Sequence, residues 1–251
     1  KLLGAFDAYA IPATFAIVGG MLENPGQWIL DHLPQEARDR TWRALREGKT
    51  DSFFGRDLVE TIGRSKTSHW IASHSYSHTR FLHPGITPEF VHEDLRNYWR
   101  VLPRDLNITP ALVFPQNEEG YYPEVLASGF RAVRGRDPEP SGRYRWMRLV
   151  RSAIGTPSLS EITDVGGGLL RNTGSVKFIS GRRRRLAMVE RLAGIGLERA
   201  VREGGTLHLW NHPFNFAETP GLLTAFDRVL RRAAKLRDQG RLVVGAMETE
   251  A

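Results

Sequence analysis

HWIASHSYSH, residues 69–78, opens as a short strand and ends on two histidines four positions apart, His74 and His78. Its first half, HWIAS, follows RDLVETIGRS (56–65), which reads as a helix. The order is therefore helix, strand, then a turn bearing histidines. If that turn coils helically, a spacing of four brings both rings onto one face, where two imidazoles can share an ion. Eight histidines in 251 residues make such a pair an ordinary coincidence, and histidines at a helix start also serve as caps or surface groups. The surroundings of the pair have to decide.

The same alternation runs through the chain. Leu2, Leu3, Phe6, Tyr9 and Ala10 recur at helical spacing, and ATFAIVGG (13–20) is an apolar run closed by two glycines, the mark of a buried strand. Residues 26–48 are amphipathic and expected to be partly helical. A helix over 89–102 places Phe90, Leu95, Tyr98, Trp99 and Leu102 on one side. ALVFP (111–115) reads as a strand, YPEVLASG (122–129) as a short helix and FRAVRG (130–135) as a strand. Residues 136–180, rich in Gly, Pro, Ser and Arg, read as a loop insertion with a short strand near 175–179. A helix over 184–203, the strand TLHLW (206–210), a helix carrying Leu223, Phe226, Leu230, Ala233 and Leu236, and the strand RLVVGAM (241–247) complete the chain. Strands alternating with helices predict a parallel sheet with helical crossovers. The number of units points to an α/β fold of the (β/α) barrel kind, with an open parallel sheet as the alternative, and to functional residues just past the strand ends.

The length suits one substantial domain, and no internal repeat or linker divides it. With no cysteine, disulfides and thiolate metal sites are excluded, so any metal must be held by His, Asp or Glu. Lys and Arg number 35 against 28 Asp and Glu, a net charge of +7 that favours anionic partners such as acidic glycans, nucleic acid or lipid headgroups. Part of that excess sits in GRRRR (181–185), read as a solvated helix start, with an anionic-ligand contact as the alternative. No apolar run approaches the ~18 residues of a membrane span. The chain opens at Lys1, already inside a helix, and is read as lacking its native N-terminus. A signal peptide would lie upstream of Lys1, so the compartment stays open, with the cytoplasm slightly favoured.

Three features fall at strand ends: His74 after HWIAS, Pro115-Gln116-Asn117 after ALVF, and Asn211-His212-Pro213 after TLHLW. A second histidine pair, His208 and His212, has the same spacing as the first but lies in an extended segment. Four residues there span roughly 13 Å, too far to share an ion. His208 is expected to line the core. His212, beyond the strand, is either a satisfied imidazole or a proton donor aimed into a site. Trp210 and Phe214 flank it and suit either a sugar face or core packing. Asn117 suits either a substrate contact or a turn.

Taken in order, these motifs resemble the polysaccharide deacetylases, the NodB-homology group of carbohydrate esterases. IASHSYSH resembles their metal motif, a histidine followed by Ser or Thr with a second histidine shortly after, and FDAYAIPATFAIVGG the helix and strand that follow their first motif. VFPQN takes the place of the third motif, LHLWNHPFN that of the last, and LRDQGRLVVGAMETE resembles the closing helix and strand. The resemblance covers nearly the whole chain and implies a single catalytic domain over residues 1–251, a distorted (β/α) barrel holding a divalent metal, often zinc. It implies hydrolysis of N-acetyl groups on a sugar, with water activated at the metal as nucleophile. His74 and His78 would be metal ligands and His212 the general acid; Asn117, Trp210 and Phe214, read from the residues themselves, are the candidate substrate contacts. A carbohydrate, not a nucleic acid, would be the partner.

Two departures stand out. The aspartate-rich first motif, source of a third ligand and the general base, belongs upstream of Leu2 and has no counterpart here; Asp7 falls within a helix and Asp164 in a glycine-rich loop. Val113 stands where the third motif carries an arginine. These point to a variant subgroup acting on a surface polysaccharide or exopolysaccharide. The alternatives are a non-catalytic glycan-binding barrel and an amidohydrolase for small linear amides.

Overall fold

The computed structural model describes residues 1–23, 54–136, 157–179 and 186–247. Helix α1 (Leu2–Tyr9) leads into strand β1 (Thr14–Ile17) and a 3-10 turn at Gly19–Leu22. Helix α2 (Arg56–Gly63) leads into β2 (Trp70–Ser73), α3 (Pro88–Val101) into β3 (Ile108–Val113), and α4 (Tyr122–Ala127) into β4 (Ala132–Gly135). Strands β5 (Ile162–Asp164), β6 (Leu170–Thr173) and β7 (Val176–Lys177) then follow one another directly. The chain continues through α5 (Leu186–Glu203), β8 (Leu209–Trp210), α6 (Phe214–Glu218) and α7 (Leu222–Asp238).

Six strands form one sheet in the order β1-β2-β3-β4-β6-β5, parallel throughout except for β5 against β6; β7 and β8 form a separate parallel pair. The protein is thus a mixed α/β fold built on a mostly parallel sheet, as the alternation predicts. In parallel strands every C-terminal end points the same way, which carries the ends of β1 to β4 to one edge.

The two faces of the sheet are packed differently. Ile71, Leu112 and Val133 belong to a core shared with Val91, Leu95 and Tyr98 of α3 and Val125 of α4. Helix α3 starts where the sequence dictates: the Thr87 hydroxyl accepts from the Phe90 amide at 3.3 Å, and Pro88 sits in the first turn, where its missing N–H costs nothing. Full burial of side chains such as Val91 and Leu95 contributes about 1.5–3 kcal/mol each. On the opposite face Ala72, Ala111 and Ala132 meet Met247. A second core joins α1, α5 and α7 around Phe6, Phe178 and Phe226, with Phe15 of β1 and Leu209 of β8 against it.

Several expectations need correction. Residues 136–180 are not simply an insertion: β6 is an inner strand of the main sheet, hydrogen-bonded on both sides. RLVVGAM does not form a strand; residues 242–246 join no ladder despite their β-branched composition. TLHLW narrows to Leu209–Trp210, with Thr206 in an isolated bridge to Ser160. Strand β3 begins three residues before ALVFP, because a shift in register between Ile71 and Ser73 accommodates Pro110, which lacks an N–H for the ladder. The helix expected in 26–48 and the GRRRR run lie outside the described residues.

Candidate active site

His74 and His78 come together, but not by helical coiling. The segment after β2 is a tight turn in which Ser75 (φ 62°) and His78 (φ 59°) take left-handed backbone, and the two ring centroids lie 4.8 Å apart. Left-handed conformations cost a non-glycine residue energy and persist only where the surroundings enforce them. Here they do. The buried Asp94 carboxylate of α3 accepts from the amides of Tyr76 and Ser77, both at 2.9 Å. Ser73 Oγ accepts from the Ser75 amide at 3.0 Å, and Ser75 Oγ from the His78 amide at 2.9 Å. From the other side, the amides of Gly19 and Gly20 donate to the carbonyls of Ser75 and Tyr76 at 3.0 and 2.8 Å. Gly19 permits that approach: a Cβ there would stand 3.1 Å from both the Tyr76 and Tyr98 rings.

His74 is committed to one tautomer. Its Nδ1 lies 2.7 Å from the carbonyl oxygen of Val113 at the end of β3, and a carbonyl only accepts, so Nδ1 carries the hydrogen and donates. Burial, then the neighbouring His78, pushes the His74 pKa down to about 4, so the ring is neutral at pH 7 and Nε2 keeps its lone pair. A carbonyl behind one ring nitrogen is how metal-ligating histidines are commonly oriented. Removal from water, then His212, lowers the His78 pKa as well. These residues fit a metal as two of its ligands. Among the described residues no group of three or more His, Cys, Asp or Glu side chains is placed to hold one.

His212 reaches the same edge from β8. It is within electrostatic range of both histidines, since its charge is among the influences that lower each of their pKa values. Its ring stacks on Phe214 (centroids 5.3 Å apart, 8° between planes) and meets Trp210 edge-on at 5.8 Å. The Trp210 ring in turn carries two cations, Arg134 with Cζ 4.1 Å from the ring centre and Lys177 with Nζ at 4.7 Å. Arg134 Nη1 donates to Asn117 Oδ1 at 2.5 Å. Burial first, then Lys177 and Arg134, lowers the His212 pKa.

All six residues singled out from the sequence therefore gather at the C-terminal edge of the strands. Asn117 serves the turn, with left-handed backbone (φ 56°), and also anchors Arg134. His208 lies at the root of β8, where its amide donates to Ser175 Oγ at 3.1 Å, and withdrawal from water brings its pKa to about 4. Asp7 is taken up elsewhere by Ser65 Oγ and the Thr67 amide, and Asp164 by the Gly166 amide. Three residues passed over in the sequence shape the site: Asp94, Arg134 and Lys177. Arg134 had a usable signal, since a charged residue inside the apolar FRAVRG must find a polar environment. Asp94, in a helix of mixed polarity, carried none. The chain was compared with family models, with curated proteins and with solved structures, and none of them matches it.

Proposed function

We propose that this protein is a metal-dependent hydrolase that removes N-acetyl groups from a sugar of a surface polysaccharide or exopolysaccharide, on a distorted (β/α) barrel. The observation that carries the reading is the pair of neutral imidazoles 4.8 Å apart, one oriented through Nδ1 by Val113, on the edge that His212 also reaches. The barrel reading is supported by the second core, in which Phe15 from one edge of the main sheet packs with Phe178 and Leu209 of the β7–β8 region.

His74, whose Nδ1 is occupied by Val113, and His78 beside it would be the residues that hold the metal. A divalent ion held there, zinc being one that imidazole suits, would supply Lewis acidity toward an amide carbonyl. His212 delivers a proton to the departing sugar amine, a poor leaving group until protonated. Phe214 fixes the plane of the His212 ring, while Trp210 and Asn117 border the space a sugar would enter. Val113, at the position where the resembled family has arginine, pairs in register with Arg134 one strand over, which sets a guanidinium at the same level of the sheet.

A second reading, a glycan-binding module without catalysis, is favoured by one observation: no carboxylate joins the histidines among the described residues. Substitution separates the two. His74→Ala is expected to abolish stoichiometric zinc binding by metal analysis. His212→Ala keeps the metal and lowers acetate release from an N-acetylated oligosaccharide about 10²–10⁴-fold, the usual contribution of a general acid. Acetate release by His212→Ala at the wild-type rate would overturn the assignment, and absence of release by the metal-loaded wild type would favour the binding module.

A further inference from the structure

Beside His212 two cations lie against one indole ring. Strands β7 and β8 pair Lys177 directly with Trp210, which puts the exposed lysine over the indole ring, with Nζ 4.7 Å from its centre. The buried Arg134 guanidinium lies against the same ring at 4.1 Å. The two cations and the indole form a wall next to the exposed His212, at the point where the sugar amine would depart. An indole face stabilises each cation by about 0.5–1 kcal/mol at exposed sites, but it does not neutralise them. Of the two, Lys177 faces solvent and is the one a ligand can reach.

We propose that this wall recognises a carboxylate on the glycan, so that the substrate is an acidic polysaccharide and Lys177 its specificity-determining contact. The inference rests on the deacetylase reading for the identity of the neighbouring sugar, but its chemistry is separate. An anion at Lys177 also offsets the positive field of Lys177 and Arg134, which works against a proton on His212. The neutral sugar face then falls to the aromatic residues and the charge to Lys177. The chain's net charge of +7 draws the same class of ligand toward the surface.

The test is a binding titration of the full chain, followed calorimetrically. One probe is a tetrasaccharide alternating N-acetylglucosamine and glucuronate, and the other a tetramer of N-acetylglucosamine. The acidic probe is expected to bind about fivefold or more tighter at low salt, the range of one partly exposed charge pair. Lys177→Gln should abolish that preference without weakening the neutral probe, and Lys177→Arg should keep it. Equal affinities for the two probes, no binding of either, or a preference that survives Lys177→Gln would each overturn the inference. Lys177-dependent binding of the acidic probe without acetate release from the metal-loaded protein would support it while overturning the deacetylase reading.

Discussion

The loop after β2 and the loop after β8 each end a parallel strand and each deliver histidine to the same edge, yet they are held in opposite ways. In the first, Ser73, Ser75, Tyr76, Ser77 and Thr79 are buried, and the backbone amides of 75 to 78 all find side-chain oxygens. In the second, His212 and Phe214 are exposed, the His212 amide reaches Asn215 Oδ1 only at 3.4 Å, and ring stacking is the main restraint on the imidazole. The contrast suits the two proposed roles. Ligands of one ion must be held within about 0.5 Å by their supports. A proton donor has to follow a leaving group and tolerates a looser mount.

The largest test of this contrast is Asp94→Ala. It leaves the buried amides of Tyr76 and Ser77 without acceptors, at about 1–3 kcal/mol each, so a loss of about 2–5 kcal/mol is expected in urea unfolding, together with weakened metal binding. Asp94→Asn, which keeps one carbonyl oxygen, should lose about half as much. A loss under about 1 kcal/mol for the alanine variant would mean that the loop holds itself, and the contrast would disappear.

A smaller effect is expected from pH, read on the metal-free protein. His208, at the root of the second loop, takes its proton near pH 4 when folded and near the ordinary 6.5 when unfolded. Between those values the unfolded chain binds more protons, so stability is full above about pH 6.5 and falls as pH drops toward 4. His208→Gln should flatten the change in urea midpoint between pH 7 and 5; an unchanged slope would remove His208 as its source.

The smallest effect is expected from Phe214→Ala. The ring is 55% exposed, so unfolding free energy should change by no more than about 0.5 kcal/mol. A loss above about 1.5 kcal/mol would make the second loop as tightly built as the first.

Much of this was legible beforehand. Helices with strong apolar periodicity, such as α3 and α7, lie where their spacing puts them, and the histidine pair was visible from its place behind a strand. How the pair closes was legible only in part: the serine hydroxyls that take the amides of Ser75 and His78 are local, but the carboxylate that holds Tyr76 and Ser77 between them is that of Asp94, 16 residues further on than His78 in the chain. Strand β6 was hidden for a similar reason. Arg171 and Asn172 read as loop residues until their partners are known: Glu119 for one, with Nη2 at 2.8 Å from Oε1, and the Met247 carbonyl at 2.7 Å for the other. RLVVGAM erred the other way, Leu242 and Val244 packing against the helical core without joining a ladder.

The pairing of Val113 with Arg134 reaches beyond this site. Parallel strands in register share a common scale of height, and a side chain's reach at the rim depends on that height more than on which strand bears it. A functional group can therefore migrate sideways between neighbours while the pocket keeps its chemistry. Here the apolar Val113 and the guanidinium of Arg134 stand at one height on adjacent strands, so the charge at that level of the rim is supplied by β4 and not by β3.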